Sequence, residues 1–169
     1  MKIPEYTEIW GHGYGNKIRR LAQGMKERVE GTNTMHFIHR HEVPRDRLKN
    51  VMYGKINCNY REGKVEQNRV RLTKGGDRIN YPGDVGTPTS DLLTVKVLIN
   101  IVISNPGVAW FTMDTRNFYL NTAMARKEYL RPKLSGMPDN AIEEYGLRKK
   151  ATTDGYVYVA DSKGMYGLP

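Results

Sequence analysis

One segment, Leu92–Ser104, is apolar on almost every side and strongly limits what the chain can fold into. Apart from Thr94, its polar side chains recur at four-residue steps, at Lys96, Asn100 and Ser104. A four-residue step keeps side chains on one side of an α-helix, so the segment predicts a helix with one narrow polar stripe. Asn105-Pro106-Gly107 predicts the end of that helix. Because so little of its surface is polar, we expect this helix at the centre of the core.

Shorter patterns surround this helix. Residues 51–60 and 67–73 are strand-like runs joined by a charged, glycine-containing tip, and they predict a β-hairpin. We also expect helices over 16–29 and 138–145. Strands are expected over Met35–Ile38, 108–113 and 156–159 and at Met165-Tyr166, with a turn over 161–164. Helices and strands are mixed without a regular βαβ order, so the predicted fold class is α+β.

The second arm of the hairpin carries two arginines two positions apart. Side chains alternate across a strand, so Arg69 and Arg71 leave one face while Val70 and Leu72 leave the other. Each guanidinium offers a planar fork of donors, and two of them on one face form a good phosphate clamp. An ordinary solvated strand face remains the alternative.

The positive charge is concentrated at one end of the chain. The 27 Lys and Arg residues outnumber the 18 Asp and Glu residues, for a net charge of +9. Residues 1–80 hold 17 of these cations and 9 acids, whereas residues 81–169 hold 10 and 9. A basic half beside a nearly neutral half suits a polyanionic partner such as nucleic acid. A soluble basic protein without such a partner is the alternative.

Cysteine usage and the absence of apolar targeting segments indicate the compartment. Cys58 is the only cysteine, so the chain cannot form an internal disulfide framework. Residues 1–16 lack the apolar region of a signal peptide, and the apolar run at 92–103 is too short to cross a bilayer. We therefore expect an intracellular, cytoplasmic chain with no membrane partner, with association with a particle or the nucleus left open.

Three longer stretches carry a family resemblance: RLTKGGDRINYPGDVGTPTSDL, MDTRNFYLNTAMARKEYLR and GYVYVADSKGMYGLP. In this order they resemble the reverse transcriptase domain of copia-type retroelements, over about residues 69–169. The earlier words RRLAQG, GTNTMHFI and VPRDRLKNVMYGKI are similar to the lead-in of that domain. The resemblance implies a right-hand polymerase. Residues 1–50 would be a basic lead-in and the start of the fingers, 51–90 the fingers hairpin and loop, and 91–169 a partial palm with the first catalytic acid.

The resemblance also implies an activity. Such a domain is an RNA-directed DNA polymerase that belongs to a retroelement polyprotein and extends a primer by magnesium-dependent nucleotidyl transfer. Its partners would be an RNA or DNA template-primer, deoxynucleoside triphosphates and the rest of the polyprotein, and its cofactor would be Mg²⁺. A non-catalytic, basic nucleic-acid-binding remnant is the alternative function.

The resemblance assigns roles to individual residues. Asp114 would be the catalytic acid and a magnesium ligand, and the carbonyl of Thr115 would be a second ligand beside the nucleotide. Asn117 and Phe118 would line the incoming triphosphate, and Tyr119 would lie beneath the sugar and exclude ribose. Arg69 and Arg71 would approach the triphosphate, and which of them makes the principal contact is left open.

The chain departs from the family pattern at three points. Thr115 stands where a larger aliphatic residue is usual, and Arg116 stands where lysine is usual. The family's second acidic motif, a pair of adjacent aspartates, is expected beyond Pro169, and no adjacent pair occurs in the 169 residues. We therefore expect these residues alone to be inactive as a polymerase.

Overall fold

The computed structural model describes residues 4–25, 28–65, 67–83, 89–113, 115 and 117–168. The chain forms two compact units. The first comprises Met1–Asn80 and Asn117–Pro169, and the second comprises Tyr81–Arg116. Helices are mixed with antiparallel strand pairs, which is compatible with the predicted α+β class.

The described residues contain five α-helices and seven strands. The helices are α1 (Pro4–Leu21), α2 (Leu92–Ser104), α3 (Phe118–Asn121), α4 (Asp139–Glu144) and α5 (Leu147–Lys150). The strands are β1 (Gly24–Met25), β2 (Val29–Glu30), β3 (Met35–Ile38), β4 (Gly54–Tyr60), β5 (Asn68–Lys74), β6 (Ala123–Leu130) and β7 (Tyr158–Lys163).

The first unit is built on two main sheets. β7 is the middle strand of a three-stranded sheet of order β3-β7-β6, and β4 pairs with β5 in a hairpin. One apolar core lies beneath them and includes Ile18 and Leu21 of α1, Leu72 of β5 and Val159 of β7. The core therefore joins α1 to strands of both sheets.

The first helix is displaced from its predicted position. We expected a helix over 16–29, whereas α1 runs over Pro4–Leu21. Two apolar side chains of α1, Ile18 and Leu21, are fully buried. The helix ends before Gly24, where φ is +79° and the chain turns into β1. A Cβ at Gly31 would lie 2.2 Å from the Gly24 backbone nitrogen, so the returning strand needs glycine there.

Several predicted elements are confirmed. β3 has the expected bounds, β4 and β5 form the expected hairpin, and α4 lies within the helix expected over 138–145. α2 begins and ends where the sequence predicts. Its cap is Asp91, whose carboxylate accepts from the Thr94 amide at 2.9 Å and from the Thr94 hydroxyl at 2.7 Å.

Other expectations are wrong. Residues 108–113 are all described and form no strand, and Phe111 and Met113 are about four-fifths exposed. None of the α2 residues is buried, so the expected central position in a core is not observed. β7 continues through the turn predicted at 161–164, and β6 was not predicted. Strand content depends on a pairing partner, which local composition does not specify.

The described helices include none that is both long and apolar enough to cross a membrane.

Candidate functional site

The hairpin strand β5 separates its apolar and cationic side chains as predicted. Val70 and Leu72 are buried in the core, whereas Arg69 is half-buried and Arg71 is exposed on the other face. The partner strand places asparagines opposite both arginines, because Asn59 pairs with Arg69 and Asn57 with Arg71. This face of the hairpin is therefore polar and cationic.

Helix α1 packs against β5. A Cβ at Gly13 would lie 3.0 Å from Cγ2 of Val70, so glycine allows the close approach of helix and strand. Arg19 of α1 forms an ion pair with Glu144 of α4, with its Nε 2.7 Å from a carboxylate oxygen. With α1 held in this way, the polar side chains on its other side lie beside the arginines of β5.

The result is a cationic pocket of about 120 Å³. It is lined by Gly13, Asn16, Lys17, Arg20, Arg69, Val70, Arg71, Asn117, Leu120 and Tyr166. Four of these side chains are cations, and the lining includes no carboxylate from the described part of the chain. A pocket of this size holds several water molecules or one small anionic group. Its composition suits a phosphate.

Asn117 enters the pocket lining in an unusual backbone conformation. Its φ is +58°, in the left-handed region, and it precedes the first residue of α3. Few residues other than glycine adopt this region, and asparagine is one that tolerates it. Leu120, one turn later, is buried in the core and holds α3 in place. The turn at Asn117 therefore presents its amide beside the cations.

Three aromatic rings lie beside the cationic pocket and form what we term the aromatic ledge: Phe118, Tyr119 and Tyr166. Tyr166 lines the pocket. Its ring meets that of Tyr119 edge-on at 5.7 Å, and Tyr119 meets Phe118 edge-on at 5.6 Å. All three rings are about half exposed, so the ledge offers apolar surface to a ligand.

Five of the predicted site residues thus lie in or beside one pocket. Arg69, Arg71 and Asn117 line it, and Phe118 and Tyr119 belong to the aromatic ledge. Thr115 is exposed and belongs to the second unit. Asp114, the predicted catalytic acid, lies outside the described residues, as does Arg116.

The described residues do not themselves form the predicted magnesium site. Among them, no three His, Cys, Asp or Glu side chains are grouped closely enough to hold a metal ion. The cationic pocket offers amides, a phenol and four cations to a ligand, and none of these is an anionic oxygen. The donor set of the pocket fits an anion and does not fit a divalent cation.

Two cations of this site, Lys17 and Arg20, were not predicted from the sequence. Lys17 and Arg20 line the pocket from α1, and they lie three residues apart on one side of that helix. Their basic helix face was visible in the sequence. Its position against β5 was not, because the contact joins segments about fifty residues apart.

Comparison with protein-family models, with curated proteins and with solved structures finds no match for this chain. The family resemblance therefore remains a prediction.

Proposed function

We propose that this chain belongs to a copia-type reverse transcriptase, an RNA-directed DNA polymerase, and carries nucleotide-binding residues of that domain. One observation carries the proposal: Arg69, Arg71 and Asn117, to which the resemblance assigns nucleotide contacts, line the same cationic pocket although Asn117 is far from the arginines along the chain. The predicted Phe118 and Tyr119 lie in the aromatic ledge beside it. In this proposal the fingers comprise residues 1–90 and the palm begins at 91.

The cationic pocket would receive the phosphates of an incoming deoxynucleoside triphosphate. Guanidinium groups donate paired hydrogen bonds to phosphate oxygens, and such charge-assisted bonds are about twice as strong as neutral ones. Arg69 and Arg71 approach from the strand, and Lys17 and Arg20 approach from the helix. Fixed cations of this kind stabilise the negative charge that develops on a departing pyrophosphate.

The aromatic ledge would receive the sugar and base. Every base has a flat face that stacks on an aromatic ring, so the half-exposed rings favour binding without sequence preference. Tyr119 would lie beneath the sugar and exclude a ribose hydroxyl by its bulk. The template-primer would extend from this site over the basic surface of residues 1–80.

Magnesium, the cofactor that the resemblance implies, would be held by Asp114 and the carbonyl of Thr115, and it would neutralise phosphate charge during transfer. The cationic pocket would contribute the four positive charges of its own side chains to phosphate binding.

The proposal is tested by titrating deoxyadenosine triphosphate into the chain by calorimetry. The variant Arg69→Gln/Arg71→Gln is expected to bind at least about tenfold more weakly, because each lost charged hydrogen bond costs roughly 1.5–3 kcal/mol. Arg45→Gln/Arg148→Gln removes the same charge from exposed positions outside the pocket lining, and it should bind like the parent. Equal weakening in both variants would refute the pocket as the nucleotide site.

The excess of positive charge in residues 1–80 favours one other function, a basic nucleic-acid-binding protein without catalysis. The two functions differ in which ligand binds. If the pocket is a nucleotide site, the triphosphate binds to the chain in the absence of DNA, and Tyr119→Ala allows adenosine triphosphate to bind as well as its deoxy form. If DNA binds while neither triphosphate does, the non-catalytic function is correct.

A further inference from the structure

Two opposite charges are buried together in the first unit. Lys74 is the last residue of β5, and Asp161 lies in β7. Their side chains are completely inaccessible to solvent, and the Lys74 ammonium forms an ion pair with the Asp161 carboxylate. Because β5 and β7 belong to different sheets, this ion pair is a direct polar link between the hairpin and the three-stranded sheet.

The backbone of Lys74 also holds the segment that carries Tyr166. The Lys74 amide donates to the carbonyl oxygen of Tyr166 at 3.0 Å. The next residue, Gly167, has a φ of +89°, and a Cβ there would lie 2.2 Å from the Lys74 carbonyl oxygen. No side chain fits between these two backbones, so the segment passes directly against Lys74.

Lys74 therefore connects two sides of the cationic pocket. Arg69 and Arg71 lie on the same strand and line the pocket from the hairpin. Tyr166 lines it from the segment that follows β7. The Lys74–Asp161 ion pair joins this hairpin strand to β7, only five residues before Tyr166.

Burial of this ion pair costs free energy, because both charges are removed from water. Burial lowers the pKa of Lys74 and raises the pKa of Asp161, and the attraction between the two charges opposes both effects. Glu128, next to Asp161 in β6, adds negative charge, although Arg47 and Arg126 both bind it. Apolar side chains of similar size would pack here without the cost of removing charges from water.

We propose that the Lys74–Asp161 ion pair positions the cationic pocket, by holding the arginines of β5 at a fixed separation from Tyr166. This role rests on the proposed function, since it concerns the same phosphate site. An ion pair has a preferred distance between its two charges that an apolar contact lacks, so it fixes the position of β5 relative to β7. Lys74 and Asp161 touch no ligand and act as positioning residues.

The test replaces both charges together, in Lys74→Met/Asp161→Leu, and measures binding of inorganic tripolyphosphate by calorimetry. Replacing a buried ion pair with apolar side chains of similar volume often leaves stability unchanged or higher, so this variant should fold. Its affinity is expected to fall roughly 10- to 100-fold, because small displacements of binding groups carry costs of this size. The backbone amide at position 74 should also exchange with solvent faster, because the ion pair no longer stabilises its hydrogen bond to the Tyr166 carbonyl oxygen.

A control separates positioning from stability. Ile142→Val truncates a buried side chain of α4 outside the cationic pocket, and it should lower the melting temperature without changing tripolyphosphate affinity. If Lys74→Met/Asp161→Leu does not fold, the single variant Asp161→Glu is measured in its place. That variant keeps the ion pair but displaces Lys74 by one methylene, so it should fold and bind more weakly than the parent.

The outcomes distinguish this inference from the proposed function. A folded variant that binds tripolyphosphate as tightly as the parent, with unchanged exchange at Lys74, overturns the positioning role alone. A parent that does not bind tripolyphosphate overturns the proposed function and the positioning role together. Weaker binding in the charge-free variant with normal binding in Ile142→Val supports the inference.

Discussion

Asn117 is the residue whose backbone conformation most directly points to function. A non-glycine residue with a φ of +58° is uncommon, and such residues concentrate at functional sites, where the surrounding structure holds them in place. Here the buried Leu120 on one side and the pocket cations on the other define its position. Asn117 was predicted only from the family resemblance, and the structure adds a conformational reason for asparagine at this point.

Tyr14 provides a test of how α1 is held in the core. Burial raises its pKa from 10.0 to about 12. The folded protein thus keeps the phenol proton at a pH at which the unfolded chain has lost it. The stabilising contribution is fully present below pH 10 and is lost as the pH rises from 10 to 12, and it amounts to about 2–3 kcal/mol.

We therefore expect Tyr14→Phe to flatten the fall in unfolding free energy between pH 10 and pH 12. Urea unfolding followed by tryptophan fluorescence measures this, because Trp10 lies on the same helix and packs against the core. Burial also raises the pKa of Tyr145 to about 12. Because Tyr145 is unchanged in this variant, a smaller fall in unfolding free energy with pH should remain. An unchanged slope in Tyr14→Phe would contradict the assigned cause.

Helix α2 depends on its cap more than a core helix would, because none of its residues is buried. The hydrogen bond from the Thr94 side chain lowers the pKa of Asp91 below its usual 3.8, and the bond from the Thr94 amide acts in the same direction. The cap is fully effective above pH 3.8 and is lost as the pH falls through the lowered pKa of the folded protein.

Two substitutions at Asp91 should differ in their pH dependence. Asp91→Ala removes the acceptor at every pH, so the Thr94 amide is expected to exchange with solvent about fivefold faster at neutral pH. Asp91→Asn keeps a side-chain oxygen and has no charge to titrate, so its Thr94 exchange should show no acid-induced increase beyond the intrinsic rate. Equal exchange in Asp91→Ala and the parent would contradict the capping role.

Considered as one object, the chain is strongly asymmetric in charge, with a net charge of +8 in residues 1–80. Long-range attraction of a polyanion follows from this asymmetry, and its strength must depend on salt. The cationic pocket concentrates four of the charges on one short surface. Binding of single-stranded nucleic acid is therefore expected to be independent of base sequence.

The affinity for single-stranded nucleic acid should fall as the salt concentration rises. If all four pocket cations contact phosphates, a plot of log affinity against log salt should have a slope of about −3, because each contact with a single strand contributes about −0.7. Lys17→Gln/Arg20→Gln should reduce the slope by about 1.4. Arg148→Gln/Lys149→Gln removes the same charge from exposed positions outside the pocket lining and outside residues 1–80, and serves as the control. Fluorescence anisotropy with a labelled oligonucleotide measures both slopes, and binding insensitive to salt would contradict the prediction.

Features that depend on neighbouring residues were predictable from the sequence. The alternation of Arg69 and Arg71 with Val70 and Leu72 decided which face of β5 is buried, because a strand has a side-chain period of two. The end of α2 followed from Asn105-Pro106-Gly107, since chain breakers act within one turn.

Features that join distant residues were decided only by the tertiary structure. Residues 108–113 have the composition of a strand, but no segment in the described part of the chain pairs with them, and they form none. β7 crosses a predicted turn because it pairs with β3 and β6 on both sides and buries Asp161 against Lys74. The cationic pocket likewise exists only because α1 packs on β5. Local sequence specifies side-chain period and chain breaks, whereas partners far apart along the chain become neighbours only when burial brings them together.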